Sequence, residues 1–132
     1  MRRLILSAVV VLGLAACGGS ATPSGPLKIT FGRVGGLIVP YSVTIAPGGA
    51  VTTTGSPPAT PTPLTRAQDM VLSNQVRDEI GKLKSASCPG DFPDEASLFI
   101  TALGKTVRVR GNCDRDFLNL FDALTTATGL AP

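Results

Sequence analysis

From Leu27 onward, apolar and polar positions alternate in three short runs. Leu27-Lys28-Ile29-Thr30-Phe31-Gly32-Arg33 places Leu27, Ile29 and Phe31 on one side, with Lys28, Thr30 and Arg33 mostly on the other. Tyr41-Ser42-Val43-Thr44-Ile45 alternates again, and Ala50-Val51-Thr52-Thr53 follows a Pro47-Gly48-Gly49 turn. A meander of three antiparallel strands is predicted. The period then lengthens. Thr65, with Gln68 three residues on, makes a capping box, and Leu72, Val76, Ile80 and Leu83 form one apolar helical stripe with Arg77, Asp78 and Lys82 off it. Pro, Gly and Asp make 85–94 a loop. Ser97 to Leu103 and Thr106 to Gly111 then form a hairpin around Gly104-Lys105, in which Val107 and Val109 alternate with Arg108 and Arg110. Asn112 or Asp114 caps a last helix whose stripe is Phe117, Leu120, Phe121 and Leu124, and Gly129 stops it.

The predicted order β-β-β-α-β-β-α has no strand-helix-strand alternation. It therefore points to an α+β fold in which an antiparallel sheet carries two helices on one face. About a hundred residues from 27 to 132 suffice for a single small domain. Residues 55–63 contain four prolines and little apolar material, so they form a surface spacer of polyproline character.

The first 26 residues follow another pattern. Arg2-Arg3 precedes an apolar run, Leu4 to Leu14, too short to cross a bilayer, which needs roughly 20 residues. Leu14-Ala15-Ala16-Cys17 closes it with small residues before a thiol. Residues 1–16 read as a lipoprotein signal peptide, Cys17 as the acylated residue, and 17–26 as a flexible tether. Two or more chains on Cys17, at roughly 0.8 kcal/mol per buried methylene, make attachment lasting. The expected location is the extracytoplasmic face of the cell membrane, or the outer membrane where the envelope has one.

That processing changes the charge. The chain has 12 Lys+Arg against 9 Asp+Glu, and loss of Arg2 and Arg3 leaves near-neutrality, which gives no support for nucleic-acid binding. It also leaves two cysteines outside the cytoplasm, Cys88 and Cys113, which are expected to form a disulfide. The chain has no His, no Trp and a single Tyr, so the common proton shuttle is absent and no catalytic role emerges. Asp91, Asp94 and Glu95 crowd one loop at spacings that match no metal motif, and no cofactor is expected. Arg33, Arg108 and Arg110 are expected to share the open face of the sheet, either as an ordinary solvated surface or as a docking surface for an acidic partner.

The segments Ile29-Thr30-Phe31-Gly32-Arg33-Val34-Gly35-Gly36-Leu37, Tyr41-Ser42-Val43-Thr44-Ile45, Asp94-Glu95-Ala96-Ser97-Leu98-Phe99-Ile100-Thr101 and Gly104-Lys105-Thr106-Val107 resemble the emfourin family. That resemblance spans roughly 27–124 and implies a small α+β protein that inhibits thermolysin-type metalloproteases. No inhibitory contact carries over residue by residue. On physical grounds the candidate loop is Val34, Gly35, Gly36, Leu37, Ile38 and Val39, where apolar side chains beside flexible glycines suit a partner's apolar pocket. The preferred alternative sends Leu37, Ile38 and Val39 into the core or between strands. The leading expectation is a lipid-anchored, non-catalytic protein-binding domain, with metalloprotease inhibition as its most specific form. An assembly-supporting envelope lipoprotein and a small-ligand carrier are the alternatives.

Overall fold

The computed structural model describes residues 24–90, Phe92 and 94–130. The expected signal peptide, Cys17 and most of the tether lie outside the described residues. The elements run β1 (Ile29–Val34), β2 (Tyr41–Ile45), β3 (Val51–Gly55), α1 (Arg66–Ile80), β4 (Ala86–Ser87), β5 (Ser97–Ala102), β6 (Lys105–Arg110) and α2 (Arg115–Ala127). The strands form one six-stranded sheet in the order β3-β2-β1-β5-β6-β4. Five strands, β3, β2, β1, β5 and β6, pair antiparallel with one another, as the alternation predicts. The sixth, β4, is the departure: it pairs parallel with β6, Ala86 opposite Val109 and Ser87 opposite Arg110. A two-residue strand has no period to read. It is held from outside itself, by the Arg108 N–H donating to Ser85 Oγ at 2.9 Å, the Cys88 N–H donating to the Arg110 carbonyl at 3.0 Å, and the disulfide.

Alternation divides the sheet into two unlike faces. Ile29, Phe31, Val43, Ile45, Ile100, Val107 and Val109 are fully buried beneath the helices. Phe117, Leu120 and Leu124 of α2 and Val76 of α1 complete that core, with Leu72, Ile80 and Leu83 nearly as buried. Phe121 of α2 meets Phe31 edge-on, ring centroids 5.7 Å apart, and stacks with Phe117 at 6.1 Å. The other face is hydroxylated. Register aligns Thr52, Thr44, Thr30, Thr101 and Thr106 in a row across five strands. Their hydroxyls bond to each other, Thr30 with Thr44 at 3.0 Å and Thr101 with Thr106 at 2.8 Å.

Both helix starts follow their sequence signals. Thr65 and Gln68 exchange both capping-box bonds, and Asp114 accepts from the Phe117 N–H. Past the end of α1, the Lys105 ammonium donates to the carbonyls of Gly81 (3.1 Å) and Leu83 (2.6 Å), where a cation complements the helix dipole. Fully buried Asp69 ties three segments together: it accepts from the Gly48 N–H at 2.7 Å and from Ser73 Oγ at 3.4 Å, and Ser73 Oγ accepts from the Leu27 N–H at 2.9 Å. The turn between β2 and β3 and the entry to β1 are thereby fixed to α1. Cys88 and Cys113 form the expected disulfide across a separation of 25 residues. No helix among the described residues is long and apolar enough to cross a membrane.

Candidate functional site

The end of the sheet where β1 gives way to β2 gathers most of the residues singled out by sequence. β1 ends at Val34, which pairs with Ser97, and Ser97 pairs with Arg110. The 35–40 connection and the Arg110 end of β6 therefore lie at the same end of the molecule. Chain entry at Leu27 lies at the other.

The connection itself is built by its glycines. Gly35 and Gly36 take φ of 72° and 71°, a left-handed geometry that costs other residues roughly 1–2 kcal/mol each. At Gly36 a Cβ would stand 2.4 Å from the Asp94 carbonyl oxygen and 2.7 Å from the Ala96 nitrogen, so the backbones of 36 and 94–96 touch only because no side chain intervenes. The Leu37 N–H then donates to the Asp94 carbonyl at 3.3 Å. On the far side, Arg33 Nη2 donates to the Val39 carbonyl at 3.2 Å. These contacts fix both flanks of the turn and send its apolar side chains outward. Leu37 is 88 % exposed, Ile38 49 % and Val39 58 %. The preferred expectation that these three enter the core is thus overturned. Two successive left-handed glycines lift the chain off the strand, so its apolar character no longer reports burial.

Arg33 also departs from expectation. It stands two residues after Phe31, so strand parity puts it on the helix-covered face, away from Arg108 and Arg110. There its guanidinium lies over the Tyr41 ring, 5.4 Å from the centroid. Burial pushes the Tyr41 hydroxyl above its ordinary value of 10.0, and the Arg33 charge opposes that shift. Arg33 is thereby a support for the loop from beneath, gripping Val39 by its carbonyl. Sequence reasoning missed this role, although parity alone carries the signal.

Arg108 and Arg110 do share the open face, with Phe99 and Ser97 beside them on β5 and Ser87 on β4. They border a polar groove of about 540 Å³ that also includes Ser85 and Thr106. A separate apolar groove of about 550 Å³ runs between α1 and α2, past Val71, Leu72, Ala123 and Ala127. Among the described residues, no group of three or more His, Cys, Asp or Glu side chains is placed to hold a metal ion.

No protein-family model, curated protein or solved structure matches the chain.

Proposed function

We propose that this chain is a lipid-anchored, extracytoplasmic, non-catalytic domain that binds a protein through the 34–39 loop. In its most specific form it is an inhibitor of a thermolysin-type metalloprotease. The single observation that carries this reading is the exposure of Leu37, Ile38 and Val39 on a turn whose flanks are fixed. Adjacent exposed aliphatic side chains favour solvent exclusion by a partner, and a braced loop loses less conformational entropy on docking than a free one. The direction of β1 adds support. Its six residues carry the chain about 20 Å, so the loop stands at the opposite end of β1 from the chain entry at Leu27, an arrangement compatible with access by a partner to an anchored domain.

Titration of the native chain, extracted in non-ionic detergent, against a thermolysin-like protease tests the inhibitor form. Slowing of peptide hydrolysis that is lost in Leu37→Asp supports it. No slowing at micromolar excess removes it.

A second reading, an envelope lipoprotein that supports an assembly, draws on the groove between α1 and α2. There Val71 is 69 % exposed beside small alanines, a surface suited to packing against a neighbour. Cross-linking in membranes through a cysteine placed at Val71 separates it from the loop reading.

A further inference from the structure

Among the described residues, three arginines have a buried Nε without an acceptor: Arg33, Arg77 and Arg110. Two of them are nonetheless held through their other nitrogens. Arg33 donates to the Val39 carbonyl, and Arg77 donates to Asn74 Oδ1 and to the Gly25 carbonyl at 2.8 and 2.7 Å. The Arg110 side chain makes no hydrogen bond to any described residue. A guanidinium whose Nε is buried without an acceptor carries a cost that an acceptor brought to it would relieve.

Its neighbours explain where such acceptors sit. In register, Arg110 is flanked by Ser87 on β4 and Ser97 on β5. Two short side chains on either side leave a hollow over the strand, which is the polar groove of about 540 Å³. Arg108 enters the same groove from two residues back on the same face, its Cα about 7 Å away along the strand. Serine hydroxyls border it from both strands that flank β6, and among the described residues no carboxylate does. Such a site has charge and donors arriving from several directions.

We infer that the Arg108/Arg110 groove binds a tetrahedral oxyanion, a phosphoryl or sulfuryl group. Four oxygens can take up donors from two guanidinium groups and from the Ser87 and Ser97 hydroxyls together, whereas a carboxylate's acceptor positions lie in one plane and match donors arriving from several directions less well. The guanidinium edge formed by Nε and one Nη matches two oxygens of such a group, once rotation of the terminal side-chain bonds brings it into the hollow. This site is separate from the 34–39 loop and does not depend on the loop's partner.

The test uses the native chain in non-ionic detergent, with inorganic phosphate, sulfate and acetate added at matched ionic strength. ¹H–¹⁵N spectra report the Arg110 Nε–H and the Arg108 backbone N–H. The expected result is a saturable shift of both signals with phosphate and sulfate, and at least tenfold weaker binding of acetate. Arg110→Ala lowers phosphate affinity roughly tenfold or more, as expected for loss of a charge-assisted bidentate contact. Arg110→Lys, which keeps the charge and loses the fork, recovers only part of it, while Arg115→Ala on α2 changes nothing. The proposal is overturned by shifts that grow linearly without saturation, by acetate binding as tight as phosphate, or by full affinity in Arg110→Lys. The last two outcomes reveal general attraction to positive charge. Protease inhibition is read separately, so loss of either function leaves the other measurable.

Discussion

Two hairpins in the same sheet close in opposite ways. β5 returns into β6 through Leu103 and Gly104 alone, at φ of 52° and 72°, the paired left-handed geometry that matches the strands' own twist. β1 returns into β2 through residues 35–40, with two left-handed glycines, three exposed aliphatic side chains and a proline. Closing the sheet needs only the first solution. The longer connection adds exposed apolar surface and chain to be ordered, yet it is braced by Arg33 from below and by the Asp94 carbonyl from the side. Structure invested in holding apolar side chains in water is what a binding loop requires and what a plain turn does not.

The largest effect expected from perturbing this contrast comes from the tight side. Replacing Cys88 and Cys113 by Ala removes a cross-link over 25 residues and lowers stability by about 3.5 kcal/mol on the chain-entropy estimate. Denaturant unfolding reads the loss. Loop binding measured well below the new midpoint stays within about twofold, because sites without shared contacts act independently. Gly36→Ala comes next. Its Cβ meets the backbone of 94–96 and its φ is disfavoured, so stability falls by about 1–3 kcal/mol and the loop leaves its braced position. Partner affinity falls with it, whereas Gly35→Ala, with open space around its Cβ, carries only the φ penalty.

Leu103→Asn sharpens the other half of the comparison. Leucine is a poor occupant of a left-handed turn position, and asparagine tolerates it, so the variant gains roughly 0.5–1 kcal/mol without touching binding. The smallest effect lies at high pH. Because the folded Tyr41 hydroxyl titrates above 10.0, its stabilising contribution is complete below pH 10 and is lost as pH rises through the folded value. Tyr41 is the only tyrosine, so ultraviolet titration of the phenolate reads it alone, and Tyr41→Phe removes this part of the alkaline destabilisation.

Much of this frame is legible in the order of residues, for definite reasons. Alternation in Tyr41 to Ile45 and in Val107 to Arg110 reports burial because each strand has one covered face, and the Thr65/Gln68 capping box is local chemistry that needs no tertiary context. β4 was not legible, since two residues acquire strand geometry only from the β6 edge and the disulfide beside them. Arg33 was misplaced by giving its charge more weight than its parity with Phe31. Leu37 to Val39 were misread for the converse reason: an apolar run reports burial only while the chain stays in register, and Gly35-Gly36 takes it out. The Arg110 groove depends on two serines brought from distant segments to flank one arginine, which no local pattern announces.

The most direct test of the loop's role is to exchange one closure for the other. Gly35 to Val39 is replaced by Asn-Gly, leaving Val34 and Pro40 as the flanking pair, and the variant is compared with the native chain for thermal unfolding and for slowing of a thermolysin-type protease. The account predicts a folded protein with a near-native midpoint that no longer slows the enzyme. Undiminished inhibition by a folded variant, or loss of the fold itself, contradicts it.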